Sequence, residues 1–374
     1  MKSRILFSSK TAEPTGPTTS LGLLVDRMAA YHDVTVLFPR DGEFRKRLEG
    51  KGISYRSVPS LGRRSIPGLV RFLRRERFDL VYVNEVSRAS RHVCIAAVLS
   101  GTPFISHVRS MGWQQGWTRL GHLKWARAVI AVSQACGNSV ARFVESERLH
   151  VVHNGVPLAL LANGRRPEGP SLKEELGLPV RSRLVLHVGH VTPRKGQVFA
   201  LEAMKQVVRE APTSHLCLAG ALDRDPGYVR RVRSLCAEPE LEGRVTVLGF
   251  RPDVHRLLSE GDVLVHTALA DPHPRAVLEA MGAGLPVVAF ATDGVTETVA
   301  DGVTGYLVTK EDTEGLASVL VRVLSDEKLA NRMGNAGQVR IKEHFSEART
   351  SERIAKVIHR VLPPSTEHRH EQES

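Results

Sequence analysis

The amino-acid sequence predicts an α/β protein made of two doubly wound, Rossmann-like domains that face a cleft. Short apolar runs alternate with helix-length amphipathic segments, which is typical of strand-helix-strand units around a parallel sheet. The alternation stops after residue 158, and residues 163–170 are polar and rich in glycine and proline. The predicted segments are a first domain over 1–160, a second over 161–348, a C-terminal helix over 349–362 and an irregular tail over 363–374. The C-terminal helix could pack on either domain, crossing back to the first in one case.

The apolar runs predict seven strands in the first domain and six in the second. The first seven are Ile5–Ser8, Val34–Phe38, Ile53–Val58, Leu80–Asn84, Phe104–Val108, Val129–Val132 and His150–Val152. The other six are Leu184–Val188, Leu216–Ala219, Val245–Leu248, Val263–Val265, Val287–Phe290 and Tyr306–Val308. Predicted helices include Leu21–Tyr31, Ile66–Arg77, Gln134–Val144, Val198–Arg209, Val229–Cys236, Arg275–Met281 and Leu316–Leu324. Ligands of such sheets bind at the carboxyl ends of the strands, so the functional residues are expected in the loops that follow strands.

The composition excludes several classes of protein. The 374 residues are 42% hydrophobic and 25% charged, which argues against a disordered chain or a collagen. Four widely spaced cysteines without a C-x-x-C pair predict buried thiols in a reducing compartment. The first ten residues hold too few apolar side chains for a signal peptide, and no apolar run is long enough to span a membrane. We therefore expect a cytoplasmic protein that at most touches the cytoplasmic face of a membrane.

The excess positive charge lies in the first half of the chain. Residues 1–160 carry 24 basic and 11 acidic side chains, a net charge of +13. The remaining residues carry 28 basic and 29 acidic side chains. Such a surface attracts nucleic acid, acidic lipid head groups or phosphorylated substrates. Residues 63–77 contain six arginines and apolar residues at helical spacing, which suits an anionic membrane surface. A helix whose apolar face packs on the sheet would have the same pattern.

The loop after the first strand contains one glycine, Gly16, where a dinucleotide-binding oxidoreductase would have G-x-G-x-x-G. The sequence therefore argues against such an oxidoreductase. Because the loop precedes a helix, with residues 18–20 as candidate caps, its amides could meet a phosphate or sugar oxygen. A plain capped turn is the alternative.

A second loop, residues 189–196, carries Gly189, His190, Arg194 and Lys195 between a strand and a helix. Cations, a titratable imidazole and helix N-terminal amides together suit a diphosphate group. The alternative is an exposed basic turn.

Two acidic residues mark the segment 263–289. A predicted strand leads into a loop with Asp271, and the following helix carries Glu279 among apolar residues. A buried carboxylate needs a hydrogen-bonding partner, and a ribose diol would supply one to Glu279. Asp271 lies at the expected ligand-binding edge of the sheet, where sugar hydroxyls could reach it.

This segment resembles the signature of the retaining glycosyltransferases of family 4, whose fold is called GT-B. Two acids have seven residues between them, and the second opens the sequence Glu-Ala-Met-x-x-Gly-x-Pro-Val-Val-Ala. The resemblance extends over residues 3–362. Four further segments are similar to the family in the same order: 153–156, the diphosphate loop 188–196, the nucleobase loop 248–251, and 301–308.

The resemblance implies that the second domain binds a nucleotide-sugar donor. Glu279 would hold the ribose hydroxyls, and Asp271 would contact the donor sugar at a position where the family usually has glutamate. Lys195 and His190 would stabilise the departing diphosphate. Arg194 would assist because His190 stands where the family has arginine, and only a protonated histidine replaces that charge. Donor affinity is therefore expected to depend on pH.

Further donor contacts are expected at seven other residues. Gly16 and Gly189 lie in loops suited to phosphate or sugar oxygens, Arg275 and Ala276 would offer backbone amides, and Phe250 and Arg251 fall in the nucleobase loop. Pro274 has no amide hydrogen to give. His107, in the predicted fifth strand, would lie beside the donor sugar, and a core or capping histidine is the alternative.

The predicted function is retaining, metal-independent transfer of a sugar from a UDP- or GDP-sugar to a glycan or lipid-linked acceptor, in the synthesis of cell-surface polysaccharide or glycolipid. No cofactor besides the co-substrate donor is implied. The departures at His190, Asp271 and Pro274 leave open a catalytically degenerate protein that binds nucleotide sugar or glycan. Nucleic-acid binding is disfavoured because the basic half lacks an array of aromatic side chains, and an epimerase lacks support from the acid spacing. The base, the sugar, the acceptor and the oligomeric state stay open.

Overall fold

The computed structural model describes residues 2–13, 16–111, 120–158 and 169–363. Contacts divide the chain into two units: unit 1 is Met1–Asn154 with Glu347–Ser374, and unit 2 is Gly155–Ser346. The predicted domain boundary at residues 160 and 161 lies outside the described residues, as does the predicted tail beyond residue 363.

Unit 1 contains a parallel sheet of seven strands in its described part. The strands are β1 (Arg4–Ser8), β2 (Asp33–Pro39), β3 (Ser54–Val58), β4 (Leu80–Val83), β5 (Phe104–Val108), β6 (Ala128–Ala131) and β7 (Leu149–Val151). Their order is β3-β2-β1-β4-β5-β6-β7, so the winding reverses between β1 and β4. Every residue of β4, β5 and β6 is buried, as expected for central strands covered on both faces.

Helices cover this sheet. They are α1 (Gly16–Ala29), α2 (Glu43–Glu49), α3 (Ile66–Glu76), α4 (Arg88–Ser100) and α5 (Gln134–Asn138). The start of α4 is fixed by a capping box, in which Ser87 and Ser90 exchange side-chain to backbone hydrogen bonds.

Unit 2 has a parallel sheet of six strands in its described part. The strands are β8 (Arg183–Val188), β9 (Ser214–Ala219), β10 (Val245–Gly249), β11 (Val263–His266), β12 (Val287–Phe290) and β13 (Gly305–Val308). The helices are α6 (Leu172–Glu175), α7 (Gln197–Glu210), α8 (Pro226–Cys236), α9 (Val254–Glu260), α10 (Arg275–Ala283), α11 (Val295–Thr298), α12 (Thr313–Ser325) and α13 (Glu327–His344). The strand order is β10-β9-β8-β11-β12-β13, so the winding reverses between β8 and β11. Ligands of doubly wound sheets bind at this reversal.

The last helix, α14 (Glu347–Val361), belongs to unit 1. Ile354, Val357 and Ile358 are buried in the same apolar cluster as Leu24 of α1. The hydroxyl of Thr350 also donates a hydrogen bond of 3.0 Å to the carbonyl of His153. The sequence left open which domain this helix packs on, and the structure shows it packed on the first domain.

The thirteen predicted strands all occur among the described residues, with ends that differ by at most two residues. One predicted helix, Gln134–Val144, is wrong in length because α5 ends at Asn138 and a 3-10 turn follows over Ala141–Phe143. Gly137 and Asn138 are weak helix formers, so the helix stops although the apolar spacing continues.

Candidate functional site

Two loops meet at the reversal point of the unit 2 sheet. One joins β8 to α7, the other joins β11 to α10, and β8 and β11 are neighbouring parallel strands. The amide of Leu269 donates to the carbonyl of Arg194 at 2.9 Å, and Nη1 of Arg194 donates to the carbonyl of Ala270 at 2.8 Å. The guanidinium predicted to assist at a diphosphate therefore ties the two loops together.

Gly196 and Thr267 bring the loops into contact. Gly196 has a φ of +67°, and a Cβ atom at this residue would lie 2.1 Å from the carbonyl oxygen of Thr267. The hydroxyl of Thr267 donates in return to the carbonyl of Gly196 at 2.8 Å. Both the backbone conformation and the close approach require glycine.

Lys195 and Asp271, both predicted site residues, form an ion pair. The Nζ atom of Lys195 lies 2.5 Å from Oδ2 of Asp271, and the side chains are 14% and 8% exposed. Burial raises the pKa of Asp271, but Lys195 and the neighbouring His266 outweigh it, so the pKa of Asp271 lies well below its ordinary value. The carboxylate is therefore ionised at neutral pH.

Two buried histidines beside this pair were not predicted. The Nε2 atom of His266 lies 3.4 Å from Oδ2 of Asp271. The Nε2 atom of His187 lies 3.2 Å from both the hydroxyl of Thr267 and the carbonyl of Lys195. Burial lowers the pKa of His187 to about 3, so its imidazole is neutral. His187 interrupts an apolar strand and His266 ends one, which is the signal that could have found them.

His190 is neutral in the donor-free chain. Partial desolvation and the charge of Arg224 lower the pKa of this exposed imidazole, Asp223 opposes that shift, and Lys195 and Arg194 add to it. The side-chain Nε2 of Gln197 donates to the His190 carbonyl at 3.0 Å, which fixes the backbone. The imidazole therefore does not supply the arginine-like charge before an anion binds.

Glu279 has a partner within its own helix. Nη2 of Arg275 lies 3.1 Å from Oε1 of Glu279, one turn along α10. The helix starts at Arg275, with Pro274 at its N-cap, so the amides of Arg275 and Ala276 lie in the first turn. The half-buried carboxylate therefore already has a partner of the kind that the sequence predicted it would need.

The loop after β10 carries an exposed aromatic ring and an ion-paired arginine. Phe250 is 70% exposed. Arg251 binds Glu175 at 2.5 Å and Asp253 at 2.7 Å, and its side chain is 16% exposed. The guanidinium of Arg251 thus anchors this loop, whereas the ring of Phe250 is accessible.

Two pairs of polar side chains lie within or directly after β1, β4 and β5 of unit 1. His107 is 1% exposed, and its Nδ1 atom lies 2.5 Å from the hydroxyl of Tyr82. Burial and the charge of Arg109 lower its pKa well below the ordinary value. Lys10 binds the buried Glu85 at 2.5 Å, a pair that sequence reasoning missed. Gly16, a predicted contact, is the first residue of α1.

Two family profiles match the chain. "Glycosyltransferase Family 4" matches residues 14–160, and "Glycosyl transferases group 1" matches residues 170–340. The chain belongs to glycosyltransferase family 4.

Relatives of this family 4 glycosyltransferase span most of its length. It is 28% identical over 295 residues to alpha-maltose-1-phosphate synthase of Mycolicibacterium smegmatis, covering 71% of this chain and 75% of the relative. It is 26% identical over 310 residues to UDP-Gal:alpha-D-GlcNAc-diphosphoundecaprenol alpha-1,3-galactosyltransferase of Escherichia coli, covering 78% of each. The structure of Anabaena Alr3699/HepE in complex with UDP-glucose is 26% identical, with a TM-score of 0.84 over 95% of this chain and 99% of that one.

These findings confirm the predicted GT-B fold and the transferase class of the family 4 chain. They favour an active transferase over the degenerate binding protein. None of the helices in the described part of the chain is both long and apolar enough to cross a bilayer.

Proposed function

We propose that unit 2 binds the diphosphate of a nucleotide-sugar donor at the junction of the β8–α7 and β11–α10 loops. The observation that carries the proposal is the Lys195–Asp271 pair, a cation and a carboxylate buried together at the reversal point of the sheet. A diphosphate competes with Asp271 for Lys195, while Asp271 is left to accept hydrogen bonds from the sugar. The first turn of α7, directly after Gly196, adds helix N-terminal amides for phosphate oxygens.

The reaction proposed is transfer with retention and without a metal. The bond from the anomeric carbon to the diphosphate ionises, and Lys195 and the loop amides stabilise the negative charge that develops on the leaving group. His190 adds positive charge once the anion raises its pKa. The acceptor oxygen then bonds to the anomeric carbon on the face from which the diphosphate departs, and the hydroxyl proton passes to the departing diphosphate.

The nucleoside would lie along α10 and the β10 loop. Glu279 would accept hydrogen bonds from the ribose hydroxyls while Arg275 holds its carboxylate in place. The exposed ring of Phe250 would stack on the base, and Arg251 would position that loop. UDP is the proposed nucleotide because the Anabaena structure contains UDP-glucose and the E. coli relative is named for UDP-Gal.

The proposed acceptor is a glycan or a lipid-linked sugar bound by unit 1, and the E. coli relative is named for a diphosphoundecaprenol-linked sugar. Nε2 of His107 has no hydrogen-bond partner among the described residues, which leaves it for a sugar hydroxyl. We further propose that this unit meets an anionic membrane on the cytoplasmic side. Leu69, Phe72 and Leu73 of α3 face the core, whereas a groove on its other side is lined by apolar residues and three arginines: Ile66, Pro67, Val70, Arg71, Arg74, Arg75 and Leu99.

The stereochemistry and metal independence are tested together with UDP-glucose as donor. Proton NMR in the first minutes identifies the anomer transferred to an acceptor, or released to water in its absence. We expect the α-anomer and an initial rate unchanged by EDTA. A β-product would contradict retention, and a rate restored only by added Mg²⁺ or Mn²⁺ would contradict metal independence.

A further inference from the structure

Two histidines lie beneath the proposed donor loops and have no part in the reaction described above. His187 lies in β8 and His266 at the end of β11, and each is 1% exposed. A buried imidazole among apolar side chains costs free energy unless its polar atoms have partners. The partners of each histidine therefore indicate its role.

His266 lies within ion-pair distance of the carboxylate oxygen that Lys195 binds, but its buried Nε2 atom has no hydrogen bond among the described residues. Oδ2 of Asp271 lies 2.5 Å from Nζ of Lys195 and 3.4 Å from Nε2 of His266. Burial lowers the pKa of His266, Asp271 opposes that shift, and the charges of Lys195 and Arg194 add to it. While Lys195 stays on Asp271, the imidazole is neutral.

Other charged groups around the pair come from the neighbouring strands. His187 approaches from β8, where its pKa is lowered by burial and by His266. Asp293 follows β12, and burial raises its pKa although the backbone amide of Asp271 opposes that shift. The amide of Gly294 donates to the carbonyl of Asp271 at 3.1 Å, which fixes the backbone of the acid. Among these groups His266 is the titratable base placed against the Asp271 carboxylate.

Donor binding changes this balance. A diphosphate draws Lys195 away from Asp271, and a carboxylate that is 8% exposed then lacks its cation. Removing one partner of a buried ion pair is strongly unfavourable because the remaining charge is uncompensated. Asp271 must either take a proton, which would weaken it as an acceptor for sugar hydroxyls, or gain another cation.

We propose that His266 is a positioning residue that replaces Lys195 as the cationic partner of Asp271 when Lys195 binds the diphosphate. The ring keeps the proton on Nε2, which faces Asp271, and takes a second proton from solvent on Nδ1. Asp271 stays ionised and oriented toward the sugar. His187 holds the two loops through Thr267 and the Lys195 carbonyl and remains neutral. This inference rests on the proposed donor site.

The first test needs no donor. In Lys195→Met the cation is gone, so the pKa of His266, followed by NMR of isotope-labelled histidine and assigned with His266→Gln, should rise from below its ordinary value of about 6.5 to above it. In Lys195→Met/Asp271→Asn the pKa should fall again. The Lys195→Met chain should also regain thermal stability as the pH falls through the raised pKa, because protonated His266 then compensates Asp271. A His266 pKa that stays below 6.5 in Lys195→Met would overturn the proposal.

The second test uses UDP-glucose, whose diphosphate diester has no proton that titrates near neutral pH. Calorimetry at pH 7 in two buffers of different ionisation enthalpy measures proton uptake on binding. We expect uptake by the wild type and less uptake by His266→Gln, which keeps a hydrogen-bond donor but cannot be protonated. His215→Gln, which changes a buried histidine of β9 bound to Thr246, is the matched control and should keep the wild-type uptake. Equal uptake in all three chains would contradict the proposal, whereas failure of the wild type to bind would count against UDP as donor and leave the NMR test decisive.

Discussion

A Cβ atom on Gly196 would lie 2.1 Å from the carbonyl oxygen of Thr267, so the β8–α7 and β11–α10 loops touch at a point where only glycine fits. Lys195 directly precedes this glycine, and Asp271 lies four residues beyond Thr267 in the other loop. The contact therefore sets the distance at which the cation meets the carboxylate. It also places the start of α7 at the same point.

Gly196→Ala should damage both the stability and the donor site. A left-handed residue with a side chain costs about 1–2 kcal/mol, and the overlap with Thr267 adds to that cost. Gly302→Ala is the matched control, because Gly302 has a φ of +70° and open space around its Cβ position. Urea unfolding should show a clearly larger loss for Gly196→Ala, with weaker nucleotide binding in that variant alone. Equal losses would show that the loop contact does not matter.

Phe250→Ala should weaken nucleotide binding without changing the thermal stability. The ring is 70% exposed, so its removal leaves the core intact, and stacking on a base is worth roughly 1–3 kcal/mol. Calorimetry should show about tenfold weaker binding of UDP. Val303→Ala, at another exposed apolar residue of unit 2, should bind as the wild type does. Unchanged affinity in Phe250→Ala would remove this ring from the base site.

Donor affinity should increase as the pH falls, in part through His190. Burial and Arg224 lower its pKa in the free chain, and a bound diphosphate raises it. Between the two values the complex holds more protons than the free protein, so acid favours binding. His190→Arg should bind more tightly at pH 8 and lose this part of the dependence. Both chains are also measured with His266→Gln added, which removes any contribution of His266 to the pH dependence of affinity. An unchanged pH dependence in His190→Arg would exclude His190 as its source.

The basic groove of α3 should direct unit 1 to anionic membranes. We expect Arg71→Glu/Arg75→Glu to abolish flotation with phosphatidylglycerol vesicles, because it reverses two exposed charges beside Ile66 and Leu99. Arg230→Glu/Arg231→Glu, on exposed residues of α8, makes the same change of net charge elsewhere. That control should still float, and the wild type should not float with phosphatidylcholine. Equal loss in both double variants would indicate an effect of net charge alone.

Sequence reasoning located the strands because strands buried on both faces are continuous apolar runs. It also placed Lys195 and Asp271 in loops at one edge of the sheet. It could not predict their ion pair, because 75 residues lie between them in the chain and the pairing depends on which strands are neighbours. The same limit concealed the roles of His187 and His266. A titratable residue within an apolar strand was visible, but its partner came from another strand.

Glu279 illustrates a different limit. Its position among apolar residues predicted a largely buried carboxylate that needs a hydrogen-bonding partner. The sequence analysis did not identify that partner as Arg275, which lies four residues earlier on the same helix. Charged pairs at this spacing face each other on a helix. Considering the helix surface together with the apolar pattern would have found the pair.

The central claim is that Lys195 holds the donor diphosphate in unit 2. Calorimetry of UDP with the wild type, Lys195→Met and Lys205→Met tests it most directly, because Lys205 is also ion-paired, to Glu202 and Glu238 of the same unit. Loss of a charge-assisted hydrogen bond costs about 1.5–3 kcal/mol, so Lys195→Met should bind at least about tenfold more weakly while Lys205→Met binds normally. Wild-type affinity in folded Lys195→Met, or equal weakening in both variants, would contradict the account.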